Sequence, residues 1–139
     1  MFDTSHSMAS ENPSENRSVR LTHAALMTQD LDQAIKFYTS IVGLELRIDE
    51  EDPIRAGHRR AMLTDQTETD VIELIEYPNM MHTSVPGRGA VNHIGFSMSA
   101  RIWHSLRSRL DTLGYPYQEV DGRLFLRDPD EVVLEIEAE

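Results

Sequence analysis

Two stretches of this sequence carry the same strand pattern, and the rest of the chain is arranged around them in duplicate. Residues 70–77 read D-V-I-E-L-I-E-Y and residues 131–138 read E-V-V-L-E-I-E-A. Both have the β-branched, apolar content of a buried strand, yet each carries a glutamate in its interior. Alternation puts Val71, Glu73, Ile75 and Tyr77 on one face and Ile72, Leu74 and Glu76 on the other. In the second copy Val133, Glu135 and Glu137 oppose Val132, Leu134 and Ile136. A carboxylate between Val71 and Ile75 is costly unless a partner satisfies it or the strand lies at a solvated edge. A histidine-bearing strand precedes each copy: V-R-L-T-H-A-A-L-M at 19–27 and V-N-H-I-G-F-S-M at 91–98.

The segments between repeat as well. After the first histidine strand, Asp30 with Gln33 has the spacing of a capping box. Leu31, Ala34, Ile35, Tyr38 and Ile41 form a helical stripe that Gly43 closes. Strands are expected at 44–48, 58–64 and 70–77, with an acidic, proline-containing loop over 49–57. In the second half Ser97 or Ser99 caps a helix whose stripe is Ile102 or Trp103, Leu106, Leu110 and Leu113, closed by Gly114. His104 falls on the solvent side of this helix. Strands follow at 117–120, 123–127 and 131–138. From His23 to Gly43 is 20 residues and from His93 to Gly114 is 21; from His23 to Glu73 is 50 and from His93 to Glu135 is 42. The sequence therefore predicts an α+β fold of two tandem βαβββ modules, 19–77 and 90–139, forming an open, barrel-like cleft within a single domain over 19–139. Residues 1–18, polar and without periodicity, read as a disordered tail. The stretch 78–89 reads as a linker whose Met80, Met81, His82 and Arg88 can fringe a pocket.

Composition narrows the function. The chain has 139 residues, no cysteine and a formal charge of −11, with one lysine, Lys36, and twelve arginines. No thiolate zinc site, cysteine nucleophile or disulfide framework is available. A nucleic-acid partner needs a basic stripe that is not present. No apolar run approaches the ~20 residues of a membrane span, and no signal peptide is visible, so a cytoplasmic location is expected.

The remaining candidates are His23, Glu73, His93 and Glu135. If each module covers one sheet face with its helix and leaves the other open, these four side chains lie on open faces and can converge in the cleft. Two imidazoles and two carboxylates suit one divalent metal ion, with zinc, nickel, cobalt, manganese and iron indistinguishable by ligand type. The competing explanation pairs each glutamate with a histidine or an arginine in a metal-free polar cleft.

The run T-H-A-A-L-M, then D-L-D-Q-A-I-K-F-Y-T-S-I-V-G-L-E-L, V-I-E-L, V-N-H-I-G-F-S and D-P-D-E-V-V-L-E-I-E resembles the vicinal oxygen chelate superfamily. That superfamily includes glyoxalase I, methylmalonyl-CoA epimerase, extradiol dioxygenases and the fosfomycin and bleomycin resistance proteins. The order His, Glu, His, Glu is most similar to glyoxalase I. The resemblance implies an enzyme, an isomerase or lyase, whose metal binds two vicinal oxygens of a small substrate and stabilises an enediolate. It implies Glu135 as the base, Glu73 as ligand and partner for the opposite proton, His23 and His93 as ligands, and a homodimer. Two glutathione-contact positions of glyoxalase I are not matched: Met27 stands where that family has Arg, and Tyr77 where it has Asn. A different 2-oxo or hydroxy-acyl substrate is therefore expected. The alternatives are a metal-free drug-binding protein, an acyl-CoA epimerase and a dioxygenase.

Overall fold

The structure is a computed structural model that describes residues 18–79, 83, 85 and 87–139. Residues 1–17 of the expected tail, and Met80, Met81 and His82, lie outside the described residues. The first module contains β1 (Ala24–Thr28), α1 (Leu31–Phe37), a π-helical turn (Tyr38–Val42), β2 (Glu45–Glu51), β3 (Arg59–Thr64) and β4 (Asp70–Glu76). The second contains β5 (Ile94–Met98), α2 (Ala100–Leu113), β6 (Tyr117–Val120), β7 (Arg123–Arg127) and β8 (Val133–Ala138).

Each module is one four-stranded sheet, in the order β1-β4-β3-β2 and β5-β8-β7-β6. The first strand of each pairs parallel with the last, and the other pairs are antiparallel. The sheets stay open, and neither closes into a barrel. The duplication extends to single hydrogen bonds: the Tyr77 amide donates to Thr28 O at 2.8 Å, and the Glu139 amide to Met98 O at 2.7 Å.

Local chemistry accounts for the helix ends. Asp30 caps α1 by accepting from the Gln33 amide, and Ser99 caps α2 by accepting from the Ile102 amide. Gly43 (φ 98°) and Gly114 (φ 65°) end the helical stretches in the left-handed region, where a side chain is disfavoured. Glu76 adds a second device, accepting from the Leu31 amide at 3.0 Å at the electropositive end of α1.

Four sequence expectations need correction. The first helix does not run uniformly to Gly43 but widens at Tyr38, where the Thr39 hydroxyl takes the Ile35 carbonyl and the Gly43 and Leu44 amides share that of Tyr38. Asp49–Glu51 are strand rather than loop, because Arg60 pairs with Glu50 and Arg59 with Asp49 across to β3 and offset the acidic run. Both histidine strands begin one residue after the histidine, at Ala24 and at Ile94, leaving Val19, Leu21 and Val91 exposed, and Leu113 faces solvent while Trp103 fills the core.

The modules share one core. Leu31, Ala34 and Tyr38 pack with Ala61, Leu63, Ile72 and Leu74, and the same cluster continues through Trp103, Leu106, Leu110, Leu124, Leu134 and Ile136. At its centre the buried Tyr38 hydroxyl donates to Asp128 Oδ2 at 2.7 Å, joining the π-helical turn to the β7–β8 turn. The Gln29 amide donates to Asp130 Oδ1 at 3.1 Å, and Arg109 Nη2 to Ile41 O at 2.7 Å. The helix-covered sides of the two modules thus meet, and the other sheet faces are left outward.

Burial raises the Asp128 carboxyl above its ordinary range, while the Tyr38 hydroxyl and the Val132 and Asp130 amides act to lower it. Burial, then Asp128, raises the Tyr38 phenol far above its ordinary value. A carboxyl whose folded pKa is raised stabilises the fold below its unfolded pKa, and that contribution is lost as pH rises through the folded value. Tyr38→Phe removes a donor that favours the carboxylate, so the folded pKa rises further. The variant should unfold with about 2 kcal/mol less stability at neutral pH, and with a smaller deficit at about pH 4, in urea titrations at both values. Glu76→Ala should cost about 1 kcal/mol in the same assay, through loss of the acceptor for the Leu31 amide at the start of α1.

Candidate functional site

The open faces carry the predicted residues in two matching pairs. In the first module Ala25 of β1 lies beside Glu73 of β4, and Met62 of β3 lies on its other side. His23, two residues before Ala25, brings Nε2 to 3.9 Å from Glu73 Oε1. In the second module Gly95 and Phe125 flank Glu135, and His93 Nε2 stands 3.0 Å from Glu135 Oε2. Each glutamate is mostly shielded while each histidine is about two-fifths exposed, at 43% and 40%. Met62 and Ile75 share the Glu73 face and are buried, so that carboxylate stands over an apolar floor.

A neighbour orients each imidazole. His23 Nδ1 is 2.9 Å from Thr22 Oγ1, and His93 Nδ1 is 2.9 Å from Asn92 Oδ1. With Nδ1 held by Asn92, the ring turns Nε2 toward Glu135. A metal-ligating imidazole is oriented in this way, by a neighbour on the ring nitrogen that does not face the ion. The residue beside each glutamate is small, and a Cβ built on Gly95 meets nothing within 4 Å, leaving space over Glu135. Each pair therefore fits half of a metal site, one nitrogen and one carboxylate.

The two halves do not join within one chain. Among the described residues, no group of three or more His, Asp or Glu is placed to hold an ion. Two cavities accompany the sheets. One of about 480 Å³ is lined by Thr22, His23, Gly95 and Ser97; one of about 750 Å³ is lined by Tyr115, Phe125, Arg127 and Val133. Glu73, His93 and Glu135 line neither. Arg88 and His104 are exposed, Met27 lies open on the β1 face that carries His23, and Tyr77 packs its ring on His58 at 4.8 Å.

Sequence reasoning missed two arginines. Arg60 donates from Nη1 to Glu73 Oε2 at 2.9 Å, and from Nε and Nη2 to Glu50 Oε1 at 3.1 and 2.8 Å. Arg123 Nε lies 3.4 Å from Glu135 Oε1 and 3.5 Å from Glu137 Oε2. Arg60 sits opposite Ile75 and Arg123 opposite Glu137, each two residues beyond the glutamate of its module, so the arginines are repeat equivalents. R-R-A-M-L-T and R-L-F-L-R each hold an arginine two residues before the residue that the sheet register sets opposite the glutamate, so the pairing follows from that register.

Comparison with known proteins identifies the family and the fold. The family model described as the Glyoxalase/Bleomycin resistance protein/Dioxygenase superfamily matches residues 20–136. No curated protein matches. Among solved structures, a glyoxylase/bleomycin resistance protein/dioxygenase domain from Frankia sp. EAN1pec is 23% identical with a TM-score of 0.71, covering 86% of this chain and 97% of its own. The trypanothione-dependent glyoxalase I of Leishmania major is 23% identical with a TM-score of 0.71, covering 88% of each chain. A point mutant of the fosfomycin resistance protein FosX of Listeria monocytogenes, complexed with Mn(II) and 1S,2S-dihydroxypropylphosphonic acid, is 19% identical with a TM-score of 0.65, covering 86% of this chain and 92% of its own. At these identities the solved structures show the fold, and the match over residues 20–136 shows the family. The chain is a member of the glyoxalase/bleomycin resistance protein/dioxygenase superfamily.

Proposed function

We propose that this protein is a divalent-metal-dependent, proton-transferring isomerase or lyase acting on a small substrate with vicinal oxygens. Its metal site is completed between two copies of the chain. The observation that carries the reading is the pair of outward half-sites, His23 with Glu73 and His93 with Glu135, each with an imidazole Nε2 turned to a carboxylate. A catalytic ion of this class takes three or four protein ligands, and one half-site offers two. In a two-fold dimer, module one of each copy faces module two of the other, which gives two four-ligand sites. Exposed Leu21 and Met27 near His23, and Val91 near His93, supply apolar surface for that contact. FosX, a structural relative, was solved with Mn(II).

When bound, the ion would supply Lewis-acid stabilisation of the charge that develops on the substrate oxygens as a carbon proton leaves. His23 and His93 would hold it through Nε2. Glu135 would accept the carbon proton on a carboxylate oxygen, and Glu73 would serve the opposite face. The unmatched Met27 and Tyr77 argue for a substrate other than a glutathione adduct.

Metal analysis after dialysis against Mn²⁺ tests the reading, and full-length chains lacking one half each test its geometry. His23→Ala/Glu73→Ala and His93→Ala/Glu135→Ala chains should each take up no metal alone. Mixed and reannealed, they should take up about a quarter of an equivalent per chain, since about half the dimers are mixed and hold one intact site. No uptake of Mn²⁺, Zn²⁺, Ni²⁺, Co²⁺ or Fe²⁺ by the wild type refutes the metal, and no rescue on mixing refutes the shared site. Glu135→Gln should weaken Mn²⁺ binding about tenfold and abolish deuterium exchange into dihydroxyacetone, followed by NMR. Unchanged exchange refutes Glu135 as the base.

A further inference from the structure

Arg60 and Arg123 are not explained by metal binding, and their placement gives them a part in it. Each contacts the glutamate that the proposed site uses, from the equivalent register position in its module. Each also has a second acidic partner outside the quartet: Glu50 for Arg60 and Glu137 for Arg123. We propose that these arginines are exchangeable counter-cations. They hold Glu73 and Glu135 while no metal is bound, and turn the freed donor edge to an anionic group of the ligand once a metal takes the glutamates. The inference rests on the metal reading above and adds to it a substrate class, a small molecule carrying a carboxylate, phosphate or phosphonate besides its vicinal oxygens.

A guanidinium presents several N–H donors in a fixed plane, and carboxylates accept on two oxygens each. Arg60 uses Nη1 for Glu73 Oε2, the edge formed by Nε and Nη2 being occupied by Glu50. A metal that draws Glu73 away leaves Nη1 without a partner, while Glu50 keeps the guanidinium on the open face. The same exchange at Arg123 frees donor capacity beside Glu135, with half-exposed Glu137 as the remaining anchor. The Arg60–Glu73 charge-assisted hydrogen bond is strong and the Arg123–Glu135 ion pair acts in the same sense, so a metal has to displace both and binds more weakly in their presence. A ligand anion that accepts from the released arginines offsets the loss. Metal and anion then bind cooperatively, each raising the affinity of the other by the same factor. Arg59 is a natural control, because it pairs with Asp49 and Asp32 and contacts neither glutamate.

The test measures free Mn²⁺ by electron paramagnetic resonance during titration of full-length protein. Arg60→Gln and Arg123→Gln should each tighten Mn²⁺ binding about tenfold, and Arg59→Gln, with the same change in net charge, should leave it nearly unaltered. Damage to the fold weakens metal binding, so tightening cannot arise that way. Sulfate, used as the anion probe, should tighten Mn²⁺ binding by the wild type about fivefold and leave the Arg60→Gln/Arg123→Gln chain unaffected. Equal affinity in the wild type and all three single variants, or equal tightening in Arg59→Gln, overturns the exchange and leaves the metal reading standing. An equal sulfate effect with and without the arginines overturns the anion class. Uptake of none of Mn²⁺, Zn²⁺, Ni²⁺, Co²⁺ or Fe²⁺ by any chain overturns the metal reading and this inference together.

Discussion

The structure depends on the shared core that closes around the Tyr38–Asp128 hydrogen bond. A buried hydroxyl and a buried carboxyl from different modules must satisfy each other, because neither has water to turn to. The bond seats the π-helical turn of the first module against the β7–β8 turn of the second. Leu31, Phe37, Trp103 and Leu110 belong to the same buried core as Tyr38. With the helix-covered sides fixed together, the opposite sheet faces have nowhere to go but outward. The fold thereby separates the two His/Glu pairs in the act of stabilising itself.

That separation is the central fact about the site. Each pair is made within one sheet by a parallel strand pair, which sets the glutamate on the last strand beside a small residue on the first, Ala25 or Gly95. The geometry inside a half-site is therefore local and repeated, down to a neighbouring Thr22 or Asn92 on the imidazole Nδ1. What completes the pair lies across an outward surface. In the proposed dimer a second copy would complete each pair, through a two-fold contact in which each module meets the other kind.

The arginines alter how the carboxylates are understood. Glu73 over Met62 and Ile75 carries a burial cost that Arg60 offsets without any metal. The two explanations for a glutamate inside an apolar strand, a metal ion or a basic partner, need not exclude one another. If an ion and an arginine share the glutamate in turn, the site has a built-in dependence on whatever takes the arginine next.

Much of this was legible in one sequence because a duplication doubles every signal. The alternation in D-V-I-E-L-I-E-Y and E-V-V-L-E-I-E-A placed Glu73 and Glu135 on the face away from the helices, and capping residues and glycines bounded both helices. These are consequences of period and local backbone chemistry. The sequence did not show the widened turn at Tyr38, the strand pairing that draws Asp49–Glu51 out of a loop, or Arg60 and Arg123 against the glutamates. Each of those depends on which strand lies next to which, and register is decided only when the sheet forms. The sequence alone determined the two modules and set Glu73 and Glu135 on the faces away from the helices. The tertiary structure decided that the halves face outward in separate pairs, because the buried core, with Tyr38 and Asp128 at its centre, joins the modules by their helix-covered sides.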